Sequence, residues 1–583
     1  MSRCGVLLVL VGATAACTAN IEGGPWSTSG APVGAPGATP GGGLGTGTAG
    51  GSGTAPATAT PDPNQPASGQ VACASMTTES VGHRVLRRLT NAELETTIRT
   101  IFSLDTAAWP GVTLPSDAGS LDGFTNNVDS LTVGPDYVQG TLDGGKKIAS
   151  LISADASLSK LVSCSTVGDR ACADSFVSTV GAKLYRRPLS ATEKGRYLAL
   201  FDKVTKNEDF HSFAYWATLA MLQSPNVIYR SEVGDADGQG HYQLSQYEIA
   251  TELAYTFTAA PPTSELMGLA AAGQLSTADQ LEAAARGLVF DGANIKPAFR
   301  DVVLGFSQQW LGLEGFSNIK KDATLYPAFS SDVQTSMAEE TRRFFSAVVL
   351  EDKAGVASLF TAPFTFVDST LAKYYGFGAA TGTDFVRVTR PANWGLGLLG
   401  QGSVLATQAN ALSTSPTRRG YLIRTKLLCG VVPPPPPVVG AIPPPTAAQT
   451  TRQRYETLHT ANATCKACHS MMDNIGFSLE HLDSAGRFRD TENGFPIDDS
   501  GIVAGTSTGD VKVSGAADLA NALAKLPETT DCVSSYLAAY ALGVNHDSAA
   551  CLVSGARSEL HAGGSLLDFY VRMARAQHIR SRQ

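Results

Sequence analysis

Residues Cys465-Lys466-Ala467-Cys468-His469 have the spacing of a covalent c-type haem attachment site. Two thiols one helical turn apart can add to the two vinyl groups of one porphyrin. The adjacent imidazole then reaches the iron as its proximal ligand. Other chemistries fit less well. Zinc needs four ligands, whereas Cys465, Cys468 and either His469 or His459 supply three, with no second CxxC. A thioredoxin-like redox pair would need a βαβ setting that the flanking sequence lacks. A plain disulfide needs no histidine.

The ligand on the far side of the iron would decide the chemistry. Met471 and Met472 follow His469 too closely to reach that face, so packing is their expected role. More distant candidates are Met573, His546, His561, His578 and His481; a vacant position would instead allow peroxide or oxygen chemistry. Downstream, Asp473 to Asp483 reads as helical after Gly476. Phe477 and Leu479 are candidates to line a haem pocket, and Arg487 and Arg489 to pair its propionates.

The elements that must position this motif are mostly helices. Capping boxes occur at Thr90-x-x-Glu93, Ser190-x-x-Glu193 and Ser245-x-x-Glu248, and Ser276-x-x-Asp279 reads as another helix start. Leu94, Thr97, Ile98 and Ile101 repeat at helical spacing, as do Ile249, Leu253 and Phe257. Met337 to Val349 reads as helix and Asp384 to Val388 as one of few strands. The expected fold class is mainly α, in several helical modules with a cytochrome c-like haem segment near the C-terminus. The expected divisions are a signal peptide over 1–16, a flexible Gly/Pro/Ala/Thr-rich tether over 17–82, and helical modules over 83–155, 160–235 and 240–380. A proline spacer and haem module follow over 385–500, and a closing helical module over 505–583. The runs Pro433 to Pro437 and Pro443 to Pro445 read as a stiff spacer.

Export is expected from the N-terminus. Arg3, the short apolar run Val6 to Val11 and the small residues before Cys17 resemble a lipoprotein signal, although Thr14 stands where Leu is usual. Cys17 would carry the lipid. A tether of this length would reach on the order of 40 Å. No later run is long enough to span a bilayer. The expected location is therefore periplasmic or anchored at the outer membrane, with membrane association through the lipid. Of ten cysteines, six remain for disulfides: Cys73, Cys164, Cys172, Cys429, Cys532 and Cys551. Cys164–Cys172 and Cys532–Cys551 are the expected local pairs in an oxidising compartment. A net charge of −8, with only short basic clusters, argues against a nucleic-acid partner.

Several segments together resemble the modular, secreted, haem-binding bacterial proteins named for domain of unknown function fifteen-ninety-two and its companion domains. These are Arg84 to Leu94, Tyr185 to Leu189, Leu244 to Ala250, Phe364 to Gly376, Thr414 to Gly420 and Cys465 to Arg489. The resemblance covers most of residues 83–583. It implies a cytochrome c-like segment within an α-rich assembly, without naming a substrate. Ala463 and Asn474 stand where that family commonly has Pro. The functional expectation is an exported c-type haem protein acting in electron transfer or as a haem-dependent oxidoreductase, with unknown redox partner or substrate. The alternative is a surface binding or scaffold lipoprotein in which haem is structural or regulatory. No GxSxG, HExxH or P-loop offers another catalytic class.

Overall fold

A computed structural model describes residues 80–583, apart from 163, 165–167, 379–380, 435–443, 447 and 461–462. The expected signal peptide, Cys17, Cys73, most of the tether and the middle of the proline spacer lie outside the described residues.

The fold is mainly α, with short antiparallel strand pairs at the joints. Strand β1 (Val85–Arg88) leads into helix α1 (Asn91–Phe102), whose start is fixed by the Thr90–Glu93 capping box. Helices α2 (Pro135–Ser153), α3 (Arg170–Tyr185), α4 (Ala191–Val204) and α5 (Phe210–Leu222) follow. Their apolar faces bury one core around Phe176, Phe201, Phe210 and Phe213. The Cys164–Cys172 disulfide closes beside it, as expected. Strand β2 (Tyr229–Glu232) returns to pair with β1.

Helix α6 (Gln246–Thr258) starts at the Ser245–Glu248 box. The next start differs by one residue from the sequence reading. Thr277, not Ser276, caps helix Ala278–Val289 with Gln280, because the Ser276 hydroxyl is donated to the Gly273 carbonyl. Helices α7 (Pro297–Trp310) and α8 (Ser331–Ser346) follow, and α8 continues into a wider π-turn over Ala347–Glu351. The strand signal near Asp384 forms as Val386–Thr389, antiparallel to Phe364–Val367.

A larger core draws on residues from Phe124 to Ile579, so distant parts of the chain share one interior. The chain end also pairs back, with Ser581–Arg582 joining Tyr242–Gln243 in a small sheet. Among the described residues, no helix is long and apolar enough to cross a membrane.

The expected Cys532–Cys551 pair does not form. Cys532 is bonded to Cys429, which lies near it in space although far along the chain, and Cys551 is disulfide-bonded elsewhere. The helix expected after Gly476 is also displaced. The regular helix lies before it, and only a short 3-10 turn, Phe477–Leu479, follows.

Candidate functional site

The motif sits on α11 (Ala463–Gly476), between α10 (Thr451–Thr460) and α9 (Pro416–Leu422). Helices α9 and α11 pack closely, and two glycines make that approach possible. A Cβ on Gly420 would lie 1.8 Å from the Met472 carbonyl oxygen, and one on Gly476 2.0 Å from that of Pro416. Any larger residue would force the helices apart.

Helix α9 is tied to the motif segment by buried side chains. Arg419 donates to the carbonyls of Leu479, Leu482 and Asp483 at 2.7–2.9 Å and so clasps the turn that follows the motif helix. Just before the helix, Thr414 donates to Glu480 at 2.6 Å. Thr417 donates to Asp473 Oδ1 at 2.5 Å. The segment Thr414 to Gly420 thus braces the motif helix.

Cys465 and Cys468 are free and half-buried. His469 and Asp473 are one turn apart on the same face. His469 Nδ1 lies 3.2 Å from Asp473 Oδ2, and His459 Nδ1 donates to that same oxygen at 2.5 Å. The two imidazoles pack with ring centroids 3.5 Å apart. Burial pushes the Asp473 carboxyl upward, but hydrogen bonds from His459, His469 and Thr417 outweigh it, and the group stays below its ordinary range. Asp473 is therefore a buried anion aimed at His469.

His459 and His469 are alternatives in the sequence reading; the structure brings them together with Asp473, their ligand atoms within 4.8 Å of one another. Two ligand sets thus share His469. One adds the two thiols, the other His459 and Asp473. A further cluster, Glu232, Glu252 and His578, is ringed by Arg87, Arg230 and Arg582, which disfavour a cation.

The other sequence candidates have different partners. Met573 is buried in the large core. His546 bonds to Asp122 and stacks on Tyr536, and His561 bonds to Asp531. His481 bonds to the Arg489 carbonyl. His578 is buried beside Gly82 and Arg582. Met472 is buried where its backbone meets Gly420, in keeping with a packing role. Phe477 lies under the Arg452 guanidinium, and Leu479 belongs to the large core. Arg489 is held by Glu480 and Glu492, and Arg487 lies over the Tyr374 ring beside Asp483, so both guanidiniums already have protein partners. Sequence reasoning overlooked Asp473, Thr417 and His459 as a group. The i, i+4 spacing of His469 and Asp473 was the one available signal.

Four family models match successive parts of the chain, all described as proteins of unknown function: PSD3 (DUF1587) over 87–154, PSD5 (DUF1595) over 172–232, PSD4 (DUF1592) over 244–377 and PSCyt3 (DUF1588) over 396–492. The chain is therefore a multi-module protein built from domains of unknown function. The CxxCH helix lies in the last matched part. No curated protein and no solved structure matches.

Proposed function

We propose that this chain is an exported c-type haem protein in which Cys465 and Cys468 carry the porphyrin and His469 binds its iron. One observation carries the reading: the two free thiols stand beside an imidazole whose Nδ1 faces a buried carboxylate. All the other described cysteines are disulfide-bonded. With Nδ1 turned to Asp473, Nε2 is left for a metal, the usual division of labour in a ligating histidine. The donor set fits haem c, and the printed name PSCyt3 hints at a cytochrome-like module.

Haem bound there would supply one-electron transfer, with its potential set by axial ligation and nearby charge. Asp473 would orient His469 and raise its basicity. Thr417 and His459 would hold Asp473 in place. We favour electron transfer over catalysis, because among the described residues no separate acid–base constellation accompanies the motif. Export follows from the N-terminal signal, and lipid attachment would be at Cys17.

The test is to secrete the chain with haem-maturation machinery and stain for haem after denaturing electrophoresis. The parent should stain, and the variant with both Cys465→Ala and Cys468→Ala should not. A colourless parent, or a double variant that still stains, rejects the assignment. The convergence of His459, His469 and Asp473 favours a second reading, a divalent cation site. Stoichiometric zinc in colourless parent protein, lost in His459→Ala, would establish that reading instead.

A further inference from the structure

A cavity of about 190 Å³ lies where α1, β2, α6, α7 and α12 (Pro527–Leu542) meet. At roughly 30 Å³ per water, it has room for about six waters or one small organic molecule. Exposed Ala92 and Thr96 stand at its edge. Its lining comes from segments far apart in sequence, so only the assembled fold creates it.

Arg87 and Arg230 line this cavity and are 4% and 3% exposed. Both donate to Glu232, and Arg230 also to Glu252. Arg582 donates to Glu232 as well. Three guanidiniums therefore share two carboxylates. Burial and the neighbouring Glu232 charge push Glu252 upward. Arg230 Nε is buried with no hydrogen-bond partner among the described residues. A buried guanidinium with an unused donor is costly unless something accepts from it.

Gly543 lets Arg87 reach this position. Its φ is +59°, and a Cβ there would lie 2.0 Å from Arg87 Nη1. Tyr255 and Tyr540 also line the cavity. Glu93 and Asp117 also line the cavity, held by the Thr90 amide and by Arg88, and repel each added negative charge, so a single ligand charge is favoured over several.

We propose that the cavity binds a small organic monocarboxylate, its charge facing Arg87 and Arg230 and its apolar part lying against the tyrosine rings. This site is separate from the CxxCH helix and does not depend on haem.

Isothermal titration of the full secreted chain with sodium benzoate tests it, using benzamide as the neutral isostere and inorganic phosphate as the multiply charged anion. Benzoate should bind saturably at one site, with benzamide at least roughly tenfold weaker and phosphate absent. Ala92→Trp changes an exposed residue, so it should leave the fold intact while blocking entry and abolishing binding. Tyr540→Phe should retain binding, because the ligand's apolar part is proposed to lie against the ring and not the hydroxyl. The proposal is overturned if benzoate does not bind the parent, or if benzamide binds equally well. Preferential phosphate binding, benzoate binding unchanged by Ala92→Trp, or loss of binding in folded Tyr540→Phe would overturn it too.

Discussion

Removing the Cys429–Cys532 disulfide should cost far more stability than removing Cys164–Cys172, and the structure sets the difference. The first bond spans 103 residues and encloses the whole CxxCH helix; the second spans 8. Cross-linking removes loop-closure entropy from the unfolded chain, which gives about 4.7 kcal/mol for the long loop and about 2.5 kcal/mol for the short one. The native packing losses nearly match. Each bond joins one fully buried cysteine, Cys532 at 1% or Cys172 at 2% exposure, to one half-buried partner. Changing both members of each pair to Ala therefore isolates the loop term, with an expected gap of about 2 kcal/mol. Urea unfolding of the two double variants and the parent, followed by circular dichroism, measures it. Equal losses, or a long-loop variant as stable as the parent, would refute the reasoning. The link to function is direct, since the proposed haem-bearing segment lies inside the longer loop.

Asp473→Asn removes a negative charge beside His469. With haem bound as proposed, the haem should stay attached but its midpoint potential should rise by about 60 mV, the equivalent of a tenfold shift for one electron, as read by redox titration; an unchanged potential would argue against the Asp473–His469 link. Gly420→Ala should cost at least about 1–3 kcal/mol in urea unfolding, because its new methyl would meet the Met472 carbonyl; a neutral effect would mean that α9 and α11 can separate freely. The Glu193 carboxyl is lowered to about 2, chiefly by the hydrogen bond from Arg187. Its stabilising contribution should be complete above about pH 4.5 and lost as pH falls toward 2, because the unfolded carboxyl takes up its proton first. Thermal melts of Glu193→Gln should show a shallower loss over that window than the parent, and superimposable acid limbs would exclude the effect.

Local chemistry made much of the fold legible. The three capping boxes at Thr90, Ser190 and Ser245 form as read, because each needs only a side chain and a backbone amide three residues away. The Thr277 start was missed by one residue because a neighbouring hydroxyl had a competing acceptor, which sequence spacing does not reveal. The Cys532 pairing was misread for a larger reason: a bond between residues 103 apart depends on how the intervening modules pack. The proposed site divides in the same way. Cys465, Cys468 and His469 stand out because their chemistry needs neighbours along one helix. His459, Thr417 and the cavity before Arg87 and Arg230 come from other segments, and only burial brings them into place.

The sequence by itself determined the helical class, the helix starts and the thiol–thiol–imidazole motif, since all three rest on interactions within one or two turns. Tertiary structure decided which carboxylate faces His469, which cysteine meets Cys532 and where buried positive charge collects. Those outcomes depend on non-local packing, in which residues hundreds of positions apart are desolvated together.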